Sequence, residues 1–352
     1  MFTLTTEVEK QNEEQRKLQV TGGSTFILSL PKEWAIRNEL KRGSSMVVRE
    51  EEDGSLCVAP SKFVKKEKQD EAFIKASASD NPDAVMRTAI SAYLGGYNIL
   101  HIRAASQKAL SAKVRNHLKN FARHYLVGTE IVIDTPTELT LQVLLNYPEL
   151  TVQNALSRMS IIASSMHKEA LSALKKLDYS TAKSVIETDR EVNRFGLYIV
   201  RLLKLAVSNP RVVKEIGLNS QRDCLGYRLI AKAVERTADH ATKIAENTLS
   251  LKEPVNGEFS EKISELSNLA ILMFENSMDA LFRRDFNLAE NVIERTSQIH
   301  KLEKETVLSM QNIKTEEAVN LRLAIESVRR TAEYASDISE VVLNLNVESV
   351  LG

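Results

Sequence analysis

The chain has 352 residues, its 47 Lys and Arg residues are matched by 47 Asp and Glu residues, and 43% of it is hydrophobic. This length predicts two or three domains, and the composition excludes a disordered or fibrous protein. Only 12 glycines and 7 prolines are present, which favours long helices. Cys57 and Cys224 lie far apart, without neighbouring Cys or His at ligand spacing, so they indicate neither a disulfide framework nor a zinc site.

The N-terminal residues and the longest uncharged stretch both argue against targeting to a membrane. Residues 1–19 are polar and charged, unlike a signal peptide. The longest run without Asp, Glu, Lys or Arg, residues 88–102, is shorter than the roughly 20 apolar residues that a membrane-spanning helix needs. We therefore expect a cytoplasmic protein without membrane insertion.

Residues 1–62 have the pattern of a small β-rich domain. The predicted elements, in order, are strands over 17–20 and 25–30, a short helix over 32–40, and strands over 46–50 and 56–60. So small a unit cannot easily bury a core of its own, so we expect it to pair with a second copy. Between Gln15 and Arg49 there are seven basic residues and two acidic ones. This excess of basic residues fits either an ordinary solvated surface or a surface that binds nucleic acid weakly.

The segment from Arg16 to Pro60 resembles the AbrB/MazE/SpoVT family of swapped-hairpin DNA-binding domains. The resemblance rests on Leu30-Pro31-Lys32-Glu33 at the end of a strand, a turn at Gly43, and an Asp53-Gly54 hairpin. It implies a homodimer of interleaved hairpins that presents basic residues to DNA, although some such domains serve only as dimerisers. The residues implied as DNA contacts, mainly to phosphates, are Arg16, Lys17, Lys32 and Arg37.

A charged linker over 65–71 leads to residues 72–146, where the pattern predicts a small α/β module of order β-α-β-α-β-β. Its second helix, over 111–125, carries four basic residues and no acidic one. That helix is either an ordinary solvated helix, which we favour, or an additional surface for nucleic acid or an acidic partner. No function is assigned to this module from the sequence.

The rest of the chain contains an internal repeat. The stretch 177–192 matches 284–299 at an offset of 107, and 235–244 matches 329–338 at an offset of 94. Apolar residues recur at helical spacing within both copies, as in antiparallel bundles. We therefore predict two three-helix repeats, over 148–252 and 258–348, the second lacking the loop around 208–220.

Acidic residues on the first repeat are spaced so that they could hold a metal ion. Asp189 and Asn193 lie four residues apart on one predicted helix, and Glu235 and Asp239 lie four apart on another. This spacing puts both oxygen-bearing side chains of a pair on one helix face, and hard cations prefer such ligands. His240 could add a nitrogen. Solvated ion pairs explain most such pairs in charged helices, so both interpretations stay open.

The sequences VIETDREVNRF and AVERTADHATKIAE resemble those of the PhoU family of phosphate-uptake regulators. This resemblance implies a mainly α fold: two tandem three-helix bundles, here preceded by the AbrB-like β-rich domain and the α/β module. It also implies a metal ion or cluster on the first repeat, held by Asp189, Asn193, Glu235 and Asp239, with iron, zinc, magnesium and manganese not distinguished. In the second repeat Arg329 stands where Glu235 stands in the first, which argues against a second cluster.

These observations favour a cytoplasmic, non-enzymatic regulator of phosphate homeostasis. In one interpretation the N-terminal domain forms a homodimer that binds promoter DNA, and the helical bundle senses a metal, a phosphate-linked state or a partner. In the alternative, the bundle docks on a phosphate transporter or a signalling protein, and the N-terminal domain only dimerises the chain. A metalloenzyme is a third possibility, but no nucleophile and base are paired in the sequence.

Overall fold

The computed structural model describes residues 14–50, 54–61, 71–77, 79–105, 109–145, 149–255, 257–310 and 315–351. The contacts between residues divide the chain into two compact units, Met1–Gln69 and Asp70–Gly352.

The first unit consists of two β-hairpins and a short helix. Its elements are β1 (Gln19–Thr21), β2 (Thr25–Ile27), α1 (Lys32–Arg37), β3 (Met46–Glu50) and β4 (Leu56–Pro60). Antiparallel pairing joins β1 to β2 and β3 to β4. Gly22 and Gly23, in the three-residue loop between Thr21 and Thr25, take φ values of 63° and 84°, which glycine adopts without steric cost. Gly54 lies in the predicted second hairpin, but Asp53 lies outside the described residues.

This first unit has almost no core of its own. Among its described residues only Pro60 is buried, and both strands of the first hairpin are exposed along their whole length. Val20 and Phe26 pair directly across β1 and β2, yet they are 59% and 67% exposed. Exposed apolar side chains at this density are typical of an interaction surface.

The second unit begins with the α/β module. It contains β5 (Glu71–Ala76), α2 (Pro82–Leu94), β6 (Ile99–Ala104), α3 (Ala112–Tyr125), β7 (Thr129–Asp134) and β8 (Glu138–Val143). The sheet has the strand order β5-β6-β8-β7, with β5 and β6 parallel and the other pairs antiparallel. Apolar residues on one face of this sheet form a core with α2 and α3. The order of elements is the one predicted from the sequence.

A bundle of long helices forms the rest of the unit. The helices are α4 (Val152–Lys176), α5 (Tyr179–Ser208), α6 (Pro210–Glu215), α7 (Asp223–Leu249), α8 (Gly257–Arg283), α9 (Phe286–Glu294), α10 (Thr296–Leu308) and α11 (Thr315–Leu345). The first repeat packs α4, α5 and α7 against one another, and α11 packs on both α7 and α8. None of the described helices is long and apolar enough to cross a membrane.

Matching backbone features mark the start of the middle helix in both repeats. Leu177 and Arg284, which are 107 residues apart, adopt left-handed φ values of 56° and 54°. The following aspartates, Asp178 and Asp285, each cap the next helix by accepting hydrogen bonds from its first amides. Such caps stabilise a helix by about 1 kcal/mol. The sequence repeat is therefore also a repeat of local structure.

The predicted helical stripes form the core of the bundle. Val185, Val192, Ile199 and Ala206 are fully buried on α5, as are Val292 and Ile299 at the equivalent positions of the second repeat. One feature was not predicted: the second repeat's middle helix is interrupted at Arg295, between α9 and α10. The first repeat instead has one continuous helix of 30 residues and the additional short helix α6.

A buried arginine joins the α/β module to the bundle. Arg201 on α5 is fully buried, and its guanidinium donates hydrogen bonds to the Tyr93 carbonyl, to the Tyr97 carbonyl at 2.9 Å and to Asn98 Oδ1 at 2.6 Å. The guanidinium carbon also lies 4.8 Å from the centre of the Tyr93 ring. These partners all belong to the end of α2 and the loop after it, so this one side chain fixes that end of the module on α5.

Candidate functional sites

The structure brings the four predicted metal ligands onto two adjacent helices. Asp189 and Asn193 lie on α5 and are linked by a hydrogen bond of 2.6 Å from Asn193 Nδ2 to Asp189 Oδ2. Glu235 and Asp239 lie on α7, which packs against α5. Lys232, one turn before Glu235, forms an ion pair with it at 2.6 Å.

Burial and mutual repulsion act on the carboxylates of this site, which we call the acidic cluster (Asp189, Glu235 and Asp239). Burial, followed by the charge of Asp239, raises the pKa of Asp189 to about 6. Burial, followed by the charge of Glu235, also raises the pKa of Asp239, although Lys232, Lys243 and Arg236 oppose this shift. Among the described residues the buried Asp189 Oδ1 forms no well-aligned hydrogen bond, although hydrogen bonding from Asn193 and Thr242 opposes the rise in the pKa of Asp189. The cluster therefore carries negative charge that its neighbours compensate only in part.

The acidic cluster suits a hard divalent cation in the kind of ligand that it offers, namely carboxylate and amide oxygens. Asp189 Oδ1, which forms no well-aligned hydrogen bond among the described residues, is an oxygen that such an ion could use. In the described residues, however, no three His, Cys, Asp or Glu side chains are arranged to hold a metal ion. Binding would require Lys232 to release Glu235 and the Asn193 amide to turn its oxygen inward, so the metal site stays a prediction.

His240, considered as an additional nitrogen ligand, contacts a different helix. Its Nε2 lies 3.3 Å from the Tyr334 hydroxyl on α11, and the two rings are 5.7 Å apart. Burial, aided by the nearby Lys243, Arg330, Arg329 and Arg236, lowers the pKa of His240 to about 4. The neutral imidazole therefore forms part of the contact between the repeats.

In the second repeat an arginine side chain occupies the position of one carboxylate of the acidic cluster. Arg329, at the position of Glu235, forms ion pairs with Glu333 on its own helix and with Glu303 on α10 at 3.2 Å. Thr296 and His300 stand where Asp189 and Asn193 stand in the first repeat. A guanidinium already neutralises the carboxylates here, so this site does not fit a metal ion.

Sequence reasoning missed Glu303, although the repeat contained the necessary signal. At the offset of 107 residues Glu303 corresponds to Gly196. A side chain added at Gly196 would approach Glu235 Oε2 at 3.7 Å, and in the second repeat the Glu303 side chain makes the equivalent approach to Arg329. Comparing the two copies position by position would have identified Glu303 as the acid that accompanies Arg329.

The four residues predicted to contact DNA are all exposed on the first unit. Lys32 and Arg37 lie at the two ends of α1, whereas Arg16 and Lys17 precede β1. Arg16 forms an ion pair with Glu14. The structure therefore leaves these side chains accessible, without showing that they act together.

The basic helix of the module, α3, is partly neutralised. Asp134 at the end of β7 forms ion pairs with Arg115 at 2.6 Å and with Lys119 at 2.8 Å. Lys119 and Arg115 lower the pKa of Asp134. Lys113 and Arg123 remain exposed. Two of the four basic side chains are thus engaged in holding α3 on the sheet, which fits the simpler interpretation of an ordinary solvated helix.

Comparison with known protein families accounts for both units. The family described as PhoU domain matches residues 156–248 and 263–342, which are the two helical repeats. The bundle consists of two PhoU domains. The family described as antidote-toxin recognition MazE, bacterial antitoxin, matches residues 19–66, so the first unit is a MazE/AbrB-like domain. Both resemblances inferred from the sequence are confirmed.

Individual relatives match the PhoU part of the chain. The chain is 25% identical over 170 residues to the phosphate-specific transport system accessory protein PhoU homolog of Clostridium acetobutylicum, covering 47% of this chain and 74% of that protein. It is 23% identical over 192 residues to the Borreliella burgdorferi protein of the same name, covering 51% and 84% of the two chains.

A solved PhoU structure has the same fold. The PhoU of Pseudomonas aeruginosa aligns with a TM-score of 0.50 and 21% identity, covering 56% of this chain and 96% of its own. The predicted fold class, mainly α with a small β-rich N-terminal domain, is confirmed.

Proposed function

We propose that the protein is a cytoplasmic, non-enzymatic regulator of phosphate transport that acts as a dimer and contacts a phosphate transporter or its signalling partner through the PhoU bundle. The observation that carries this proposal is the match of both helical repeats to PhoU domains. Two relatives of that part of the chain are described as accessory proteins of a phosphate-specific transport system.

Direct binding tests the transporter contact. We expect the purified chain to bind the phosphate transporter of its own organism, reconstituted in nanodiscs, and not a transporter of an unrelated solute in the same nanodiscs. Binding should be measured by surface plasmon resonance at low and high phosphate. Equal signals from the two transporters would contradict the proposal, because they would report contact with lipid or with the scaffold protein.

Pairing of the first units supplies the dimer in this proposal. Each large apolar side chain exposed on β1 to β4 would stabilise the dimer by about 1.5–3 kcal/mol when a second copy buries it. We expect Phe26→Asp to convert the protein from a dimer to a monomer, whereas Thr25→Asp on the opposite face should leave it dimeric. Light scattering measures the mass of each variant, and a dimer that survives Phe26→Asp would show that pairing does not use this face.

DNA binding is the second candidate function, and the exposure of Lys32 and Arg37 on a MazE-like domain favours it. In a dimer the double substitution Lys32→Ala/Arg37→Ala would remove four cations. We expect it to lower affinity for promoter DNA at least about tenfold and to reduce the salt slope by about four. Fluorescence anisotropy at about 50 and 200 mM salt measures both quantities.

The matched control removes the same charge elsewhere. Lys113→Ala/Arg123→Ala takes two exposed cations from α3, and we expect it to leave DNA affinity within about twofold of the parent. If the parent protein does not bind DNA at about 50 mM salt, the DNA-binding function is contradicted, and the first unit serves only for dimerisation.

Cation sensing at the acidic cluster is the remaining part of the proposal. An ion bound there would compensate the negative charge of the acidic cluster and would draw α5 and α7 together. The bundle could thereby report the presence of a divalent cation to its partner.

A further inference from the structure

The outer face of the α/β sheet, opposite α2 and α3, is ordered in rows that run across the strands. The registers place Phe73, His101, Thr140 and Ile133 in one row. We call this the middle row. Phe73 is 58% exposed and Ile133 is 38% exposed, whereas Thr140 between them is 1% exposed, so this row presents apolar surface at its two ends.

The Phe73 ring is held in place despite its exposure. It stacks on His101 with the ring centres 4.8 Å apart and the planes 8° from parallel, and the Arg103 guanidinium lies 4.9 Å from its centre. His101 is fixed in turn by Glu138 at 2.9 Å and Thr140 at 3.1 Å. A pre-ordered aromatic side chain loses little entropy when a partner covers it.

Rows of opposite charge flank the middle row. On one side the register aligns Glu71, Ile99, Gln142 and Glu130, and on the other Lys75, Arg103 and Glu138. Arg103 and His101 contact Glu138, and His101 Nε2 also lies 3.6 Å from Glu71 Oε2, whereas Lys75 pairs with no carboxylate among the described residues. The sheet face is therefore negative along one side and positive at Lys75 along the other.

We propose that this sheet face packs on the same face of a second copy of the chain, about a two-fold axis along the middle row. Such an axis reverses the strand direction and puts Glu71 of each copy opposite Lys75 of the other, while the middle rows face each other. The arrangement is self-complementary, as a two-fold interface requires. The acidic residues on the face make it a poor surface for nucleic acid, which needs a basic one.

One small sheet offers only a modest contact area, so the sheet contact alone would be weak. The proposed pairing of the first units would strengthen it. Two chains joined through residues 1–62 hold their modules at a high effective concentration, which allows a weak interface to form. The inference therefore rests on the proposed function, because it uses the dimer that the first units form. The experiment must therefore report the sheet contact and the pairing of the first units separately.

Cross-linking of single introduced cysteines distinguishes the sheet contact. In the full chain carrying Cys57→Ser, the probe Ile133→Cys lies in the middle row and should face its own copy across about 10 Å, the usual spacing of packed sheets. A short bismaleimide should join most chains into dimers. The control Glu130→Cys lies on β7 opposite Gln142, two register positions from the middle row. Its two copies would be about 14 Å apart along the strands and about 17 Å apart in all, so they should cross-link far more slowly.

Charge substitutions then test the two-fold register. Lys75→Glu places like charges opposite each other and should lower the cross-linking rate of the Ile133→Cys chain about tenfold. Adding Glu71→Lys restores opposite charges and should recover the rate. An occupant other than a second copy, such as another segment of the chain or an unrelated protein, would give no such recovery.

The outcomes separate the two proposals. A dimer by light scattering that shows no cross-link at residue 133, or no effect of the charge substitutions, would overturn the sheet contact and leave the pairing of the first units standing. A cross-link that persists together with a dimeric mass after Phe26→Asp would support the sheet contact and overturn the pairing of the first units. A monomeric parent chain would overturn both.

Discussion

Arg201→Met is expected to lower the free energy of unfolding by about 3–5 kcal/mol, because the substitution removes three buried hydrogen bonds donated by a charged group. The Arg201 guanidinium donates hydrogen bonds to two backbone carbonyls and to the Asn98 side chain, all at the junction of the module and the bundle. Methionine fills similar volume but cannot donate a hydrogen bond. Urea unfolding followed by circular dichroism measures the loss.

The control for this prediction lies one turn away on the same helix. Lys204 is exposed on α5, so Lys204→Met should change stability by no more than about 0.5 kcal/mol. If Arg201→Met costs no more than Lys204→Met, the junction is not held by this side chain. A second, low-denaturant transition in the Arg201→Met variant would show the module unfolding separately from the bundle.

Asp189→Asn is expected to stabilise the metal-free protein at pH 7.5 by about 1–3 kcal/mol. Each pKa unit corresponds to about 1.4 kcal/mol, and partial solvent exposure reduces the full effect. The sign follows from the direction of the shift. The folded-state pKa of Asp189 is raised from 3.8 to about 6, so the folded protein binds the proton more tightly, and the stability from this group falls as pH rises through that window.

The advantage of Asp189→Asn should therefore disappear as the pH is lowered to about 4, where Asp189 is protonated in the folded parent protein. Glu187→Gln on the exposed side of α5 is the matched control and should alter stability little at either pH. Thermal unfolding in EDTA at pH 7.5 and pH 4 gives the comparison. An Asp189→Asn variant that is less stable than the parent at pH 7.5 would show that the aspartate is not under electrostatic strain.

The same pair of proteins tests the proposed cation site. Adding Mn²⁺ or Mg²⁺ at pH 7.5 should raise the melting temperature of the parent protein and not that of Asp189→Asn, since the variant lacks a charged ligand. Equal shifts in both proteins would place the cation elsewhere.

Much of the fold could be predicted from the sequence because its signals are local. Helical stripes, capping aspartates and hairpin turns act within a few residues, and the repeat at fixed offsets ties the two halves of the bundle together. The break at Arg295 was not predictable in this way, since the segment 284–299 has the same apolar spacing as the unbroken helix of the first repeat.

The candidate sites were harder to predict because they depend on contacts between distant parts of the chain. The spacing of Asp189, Asn193, Glu235 and Asp239 correctly placed them on adjacent helices, but it could not show that Lys232 and Asn193 engage two of the oxygens. Arg201 looked like any charged residue on a helix. Its role depends on carbonyls more than 100 residues away in the chain, which no periodicity reveals.

The central claim, that this chain with its two PhoU domains regulates phosphate transport, is tested most directly by phosphate uptake in its host. Uptake of radiolabelled phosphate should be measured in phosphate-replete cells with the gene intact, disrupted, and disrupted but complemented by the full chain. We expect disruption to raise uptake several-fold and complementation to restore the low rate. Equal uptake in the intact and disrupted cells, over a range of external phosphate, would contradict the account.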